Sequence, residues 1–216
     1  MSYAMNNIEE AIKQAKSQAK KRKFTETMEI SVGLKEIDLK NPANRINLET
    51  SLPKDLGKKV KIALFAEGEL STKGNDLGLT VISKDEIESI GKDKNAAKKI
   101  VQDHDFFISE PRFMPLVGRF LGKILGPRGK MPKPVPPRTD LEELITRYNK
   151  MVKLRVKSNP VINTKFGKAD QDDKDLAENA SVIIQELTGK LEKGTNQIKS
   201  ISIKTTMGPT VKVLKT

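Results

Sequence analysis

The sequence predicts an α/β protein in two parts. An α+β outer domain with an antiparallel sheet comes from residues 1–60 and 151–216, and a Rossmann-like parallel α/β domain, residues 61–150, is inserted in it. Three observations predict this. Both ends of the chain carry strands that alternate apolar and polar residues, the period of a sheet with one buried and one open face. The middle instead alternates short apolar strands with helical patterns, as a doubly wound layer requires. The charge divides the same way: the outer segments hold 24 basic and 15 acidic residues, net +9, and the inner one 16 and 13, net +3.

The elements follow in order. Residues 6–22 read as a helix with Ile8, Ala11, Ile12, Ala15 and Ala19 on one face. It ends in Lys20-Lys21-Arg22-Lys23, cations suited to the negative end of a helix. Phe24–Val32 is a strand with Met28, Ile30 and Val32 inward and Thr25, Thr27, Glu29 and Ser31 outward. A turn-rich stretch, Asn41-Pro42-Ala43-Asn44, precedes a short strand near Ile46–Leu52. Val60–Phe65 and Leu79–Ile82 are strands, and Ser83 with Glu86 forms a capping box for the helix that follows. A second helix covers Lys94–Gln102, Phe106–Ile108 is a buried strand, and Pro111 starts another helix. A Gly/Pro-rich basic loop then leads to a second capping box, Thr139 with Glu142, and a helix to Lys150. Val152–Val156 and Val161–Lys168 read as a hairpin around Lys157-Ser158-Asn159-Pro160. Asp172 or Asp173 caps a long helix whose Leu176, Ala180, Ile183, Ile184, Leu187 and Leu191 share a face. Ile198–Lys204 and Thr205–Val213 are the closing strands, with Ile201 and Ile203 on one side and Ser200, Ser202, Lys204 and Thr206 on the other.

Composition narrows the function. The chain has 216 residues, 40 basic against 28 acidic, a net charge of +12 and a pI near 9.7, the footprint of a polyanion binder. It contains no Cys, so disulfides, zinc thiolates and cysteine nucleophiles are excluded. Aromatic residues make up only 4%, which disfavours recognition by base-stacking platforms. No apolar run reaches the ~20 residues of a membrane span. The N-terminus has no apolar signal core, and Glu9 and Glu10 break a transit pattern, so the expected location is the cytoplasm.

The hydroxyls and lysine on the outward face of the last strands are groups that phosphate and ribose oxygens accept from. Gly118–Arg138 holds six Lys/Arg, four Gly, five Pro and no acid, which suits a stiff loop close to phosphate. Its Arg128, Lys130 and Lys133 form a local patch in the segment of low net charge, fit for a second, transient RNA contact. A nucleotide site is not indicated. Gly129-Lys130 is followed by Met131, Gly167-Lys168 by Ala169 and Gly57-Lys58 by Lys59, so no phosphate loop forms, and GxGxxG is absent. His104, the one histidine, lies between Asp103 and Asp105 at a helix-to-strand junction rather than beside a nucleophile. Asp170, Asp172, Asp173 and Asp175 fail the calcium-loop pattern, because Lys174 and Asp175 stand where a ligand and a glycine are needed. They suit a helix N-terminus. No cofactor or metal site is expected.

Four separated motifs, in order along the chain, carry a resemblance: Phe24 with Thr27 and Glu29; Leu125-Gly126-Pro127-Arg128-Gly129-Lys130-Met131-Pro132; Phe166-Gly167-Lys168; and Thr205-Thr206-Met207-Gly208-Pro209. Together they resemble the ribosomal protein L-one family of the mobile lateral stalk of the large subunit. Lys130-Met131-Pro132-Lys133-Pro134 and the Asn41–Asn47 stretch are similar to its archaeal branch. The resemblance implies a discontinuous outer domain that binds large-subunit rRNA, motion with the exit-site tRNA as it leaves, and repression of the protein's own operon through an rRNA-like mRNA site. It also implies a monomer when free of the ribosome. The RNA contacts it implies are Lys23, Phe24, Thr27, Glu29, Gly167, Lys168, Ser200, Thr206, Met207 and Gly208; the local patch of Arg128, Lys130 and Lys133 is expected to meet the exit-site tRNA. Bacterial members carry a small apolar residue where this chain has Phe166. Phe24 keeps the apolar parity of its strand, which suits shaping the surface rather than stacking. A free-standing RNA chaperone and a Rossmann-type enzyme are the competing readings. The first is disfavoured by termini that pattern as ordered elements, the second by the missing phosphate fingerprint.

Overall fold

A computed structural model describes residues 3–38, 46–137, 139–156 and 159–215. The expected turn at Asn41–Asn44, Arg138 of the basic loop, and Lys157 and Ser158 lie outside the described residues. The chain is α/β and forms two compact units, Met1–Lys58 with Lys150–Thr216, and Lys59–Asn149.

The outer unit starts with α1 (Met5–Ser17), which buries Ile8, Ala11, Ile12 and Ala15. This helix stops earlier than the sequence suggests. Lys20–Arg22 and Lys23 offer nothing to bury and repel one another, so the helix ends once its apolar face is spent. β1 (Thr27–Leu34) follows, with Met28, Ile30, Val32 and Leu34 inward in strict alternation. β2 (Asn47–Ser51) pairs with β7 (Met151–Arg155) in a two-stranded antiparallel ladder. β8 (Val161–Lys168) pairs with β1 rather than with β7, so the expected hairpin does not form. α7 (Asp173–Lys190) starts after Asp172, whose side chain makes no capping hydrogen bond; Asp173 and Asp175 lie in its first turn. β9 (Ile198–Thr205) lies on the other side of β1, and β10 (Val211–Lys212) on its far edge, giving the antiparallel order β10-β9-β1-β8. The segment 206–210, expected to be strand, is a turn between β9 and β10. α1 and α7 pack on the apolar side of this sheet in one continuous core.

The inserted unit holds β3 (Ile62–Phe65), α2 (Glu69–Asp76), β4 (Thr80–Ile82), α3 (Lys84–Lys92) and α4 (Lys94–Asp103). There follow β5 (Phe106–Ser109), a 3-10 turn at Pro111–Phe113, α5 (Met114–Arg128), β6 (Lys133–Pro134) and α6 (Leu141–Asn149). The sheet is parallel throughout, in the order β4-β3-β5-β6. Three local features differ from expectation. Residues 118–128 are helix, not loop: α5 runs through Gly118, Gly122 and Gly126 because Val117, Leu121 and Leu125 seat it on the core. It ends at Gly129, whose φ of 65° is the left-handed cap that glycine adopts without strain. Asp140, not Thr139, caps α6, its carboxylate accepting the Glu142 N–H at 2.9 Å. Glu86 does accept the Ser83 N–H, at 2.7 Å.

Candidate nucleic-acid interface

The polar side of the outer sheet is built by register. Residues directly opposite one another on antiparallel strands share a face. Thr27 stands opposite Lys168, and the Thr206 N–H donates to the Thr27 carbonyl at 3.0 Å. One row further, Glu29 lies between Lys165 on β8 and Lys204 on β9. The next row is Asn163, Ser31, Ser202 and Lys212, and the one after it joins Gly33 to Ser200. These side chains are half-buried or exposed, whereas Met28, Ile30, Val32, Ile201 and Ile203 on the reverse face are buried.

A β-bulge arranges the cations. Met28 pairs with Gly167 but Glu29 pairs with Lys165, so β8 has one extra residue there. Simple alternation would send Lys165 and Lys168 to opposite faces. The bulge turns both toward the polar side and buries Phe166 and Gly167 together. Asn179 on α7, itself buried, holds the bulge by donating to the Phe166 carbonyl at 2.9 Å. Lys165 and Lys204 therefore share the polar face with residues expected from sequence. Lys204 lay on the polar parity, but the bulge that turns Lys165 has no signal in a single sequence.

The expected site residues fall into two groups. Lys23, Phe24, Thr27, Glu29, Lys168, Ser200, Thr206 and Met207 lie at the rim or on the polar face. Phe24 precedes β1 instead of sharing its apolar parity, and is 55% exposed; Met207 is 58% exposed. The Thr206 hydroxyl lies 3.0 Å from a Glu29 oxygen and fixes that carboxylate at the edge of the face. A carboxylate only accepts, so it suits ribose hydroxyls and base amino groups rather than phosphate. The two glycines serve the protein itself. Gly167 is buried, and a Cβ there would lie 2.3 Å from a Leu176 methyl and 2.4 Å from Gln171 Oε1. A Cβ on Gly208 would lie 2.3 Å from the Thr205 hydroxyl oxygen.

Glu26 was missed by the sequence reading. It is 6% exposed and bridges the basic run to the turn. Its carboxylate accepts Arg22 Nε at 2.9 Å and the Met207 N–H at 3.0 Å. The Met207 N–H, then the Thr205 hydroxyl and Arg22, hold the Glu26 carboxyl below the ordinary carboxylate range against the opposing effect of burial.

Among the cations of the basic segment in the inserted unit, Lys130 departs from expectation. Lys130 turns inward and donates to the Val101 carbonyl at 2.8 Å and the His104 carbonyl at 2.6 Å, capping the C-terminus of α4. Burial pushes its pKa down, with Asp105 opposing. Its amine is thus committed to the fold. Lys130→Met leaves two carbonyls unpaired and should destabilise the inserted unit by about 1–3 kcal/mol in urea unfolding. Wild-type stability would refute the capping role. Arg128 closes α5, where it approaches the Lys98 carbonyl, and Lys133 lies over the Tyr148 ring.

The crevice at the carboxyl ends of β3 and β5 is where a doubly wound sheet would take a nucleotide. Here Glu110 fills it: a buried carboxylate that accepts the Glu67 N–H at 3.1 Å and pairs with Arg112. An acid there repels phosphate. His104 donates from Nδ1 to the Ile100 carbonyl, which can only accept, so its Nε2 accepts from the Thr80 hydroxyl at 2.8 Å. Both nitrogens are engaged, as a structural histidine requires.

The model of the ribosomal protein L1p/L10e family matches residues 11–209. The large ribosomal subunit protein uL1 of Thermococcus kodakarensis is 46% identical over 214 residues, 99% of each chain. That of Methanobrevibacter smithii is 49% identical over 206 residues, 95% of this chain and 97% of its own. The uL1 of Methanothermobacter thermautotrophicus is 46% identical over 208 residues, 96% of this chain and 98% of its own. With the family match and archaeal relatives covering nearly its whole length, the chain belongs to the ribosomal protein L1p/L10e family and is of archaeal type.

Proposed function

We propose that the chain is a structural constituent of the large ribosomal subunit and binds large-subunit rRNA through the polar face of the outer sheet and its rim. The observation that carries this reading is the register. Lys168, Thr27 and Thr206 in one row, and Lys165, Glu29 and Lys204 in the next, present cations, hydroxyls and one fixed carboxylate on a single face. That mixture matches a folded RNA, with phosphates for the lysines and ribose hydroxyls for Glu29 and Ser200. The family is one of ribosomal structural proteins, so the chain is not an enzyme and works in the cytoplasm.

The finer roles rest on the resemblance. They are a place in the mobile lateral stalk, release of exit-site tRNA, repression of the chain's own operon through an rRNA-like mRNA site, and a monomeric state off the ribosome. For tRNA the inserted unit offers Arg128 and Lys133, without Lys130. The test is ultraviolet crosslinking in intact cells, followed by sequencing of the bound RNA and mapping of the crosslinked peptides. The expected result is one large-subunit rRNA element, joined through peptides containing Lys23–Phe24 and Thr206–Gly208, plus a messenger from the chain's own operon. Crosslinks confined to the inserted unit, or spread over unrelated RNAs, would overturn the reading.

A further inference from the structure

We infer that Glu26 is a positioning residue for RNA recognition: a buried acid beneath a basic site whose carboxylate holds two contact segments in one arrangement, beside a third joined to its backbone carbonyl. The inference rests on the rRNA reading above. Glu26 directly precedes β1 and is buried, as Met28 and Ile30 are, where an apolar side chain is the ordinary occupant. Nothing in core packing requires a carboxylate there. Its two oxygens divide their work. Oε1 takes Arg22, in the basic run Lys20–Lys23, and Oε2 takes the Met207 N–H, in the turn after β9. Its own carbonyl accepts the Ala169 N–H at 2.9 Å, one residue beyond Lys168. Residues 22, 169 and 207 are remote in sequence, and each adjoins an expected RNA contact: Lys23, Lys168 and Thr206.

The charge of Glu26 makes the case sharper. An anion under a polyanion-binding surface opposes binding directly, at a distance set by Coulomb's law. Its contribution must then come from the order it imposes. Met207 is largely exposed and has little packing of its own to fix it. The Met207 N–H held by Glu26 and the Gly208 N–H held by the Thr205 carbonyl at 3.1 Å are what define the turn. A turn fixed before binding spares the ordering cost at the moment of binding.

Two variants separate positioning from charge. Glu26→Gln keeps an acceptor oxygen for the Met207 N–H and removes the anion. Glu26→Ala removes both. Affinity for a large-subunit rRNA transcript, measured by filter binding at fixed salt, should fall by about tenfold or more in Glu26→Ala and stay within about threefold of wild type in Glu26→Gln. In the free chain, hydrogen exchange at the Met207 amide should be slow in wild type and Glu26→Gln, and should approach the rate of an open loop in Glu26→Ala. Equal gains in affinity for both variants would show that the acid acts only as a charge and would overturn the inference. So would fast Met207 exchange in wild type, a measurement that stands even if Glu26→Ala fails to fold. If the wild-type chain itself does not bind the transcript, the rRNA reading falls first, and the inference falls with it.

Discussion

Gly208→Val should lower affinity for large-subunit rRNA by about 100-fold, roughly 2.8 kcal/mol, while leaving the salt dependence of binding unchanged. The cause lies in the protein. A Cβ at this position would meet the Thr205 hydroxyl oxygen at 2.3 Å, and Thr205 is fully buried, which leaves its side chain little room to turn aside. The turn must open, which carries the Met207 N–H off Glu26 and moves Thr206 away from Thr27 and Glu29. No charge changes, so the number of phosphates neutralised stays the same and the slope of log affinity against log salt is preserved. A lysine variant on the polar face should behave in the opposite way: a modest loss with a shallower slope. Filter binding across a salt series, with circular dichroism to establish folding, separates the two. A folded Gly208→Val protein of wild-type affinity would refute the role assigned to the turn.

The fold was legible in sequence wherever one residue period ran uninterrupted. β1 alternates strictly and β9 does so from Ser200 to Thr205, and the faces read from Met28, Ile30, Ile201 and Ile203 are the faces observed. The divergences have physical causes. Helix propensity counts Gly and Pro against α5, but packing of Val117, Leu121 and Leu125 on the parallel sheet outweighs it. The supposed hairpin failed because a short link between two strands does not compel them to pair when each has a better neighbour, β2 for β7 and β1 for β8. At the interface the hydroxyl face and the Thr206–Gly208 turn were readable. The bulge at Phe166 was not, because a one-residue insertion in a ladder exists only relative to the partner strand. Nor could sequence show that Lys130 folds inward, since an exposed cation and a helix-capping cation have the same letter.

The outer unit alone should bind the rRNA within about tenfold of the whole chain, whereas the inserted unit alone should bind it more than ~100-fold more weakly. Each unit has its own hydrophobic core with no residue in common, the condition for folding apart. Excision is feasible because the chain leaves and returns at neighbouring points. Ser51 pairs with Met151, the Leu52 N–H donates to the Lys150 carbonyl at 2.8 Å, and the Val60 N–H donates to the Asn149 side chain at 3.0 Å. A short Gly/Ser linker from Lys58 to Lys150 therefore spans the gap without strain. The outer unit keeps the whole polar face, the basic run and the turn, together with net charge +9 of the chain's +12. The inserted unit keeps net +3, and one of its lysines, Lys130, is spent on the end of α4. Urea unfolding establishes that each piece is folded, and filter binding to the rRNA transcript then compares them. A folded outer unit that binds more than ~100-fold more weakly than the whole chain, about 2.8 kcal/mol, would mean that the inserted unit supplies contacts of its own and that the polar sheet face is not the main site.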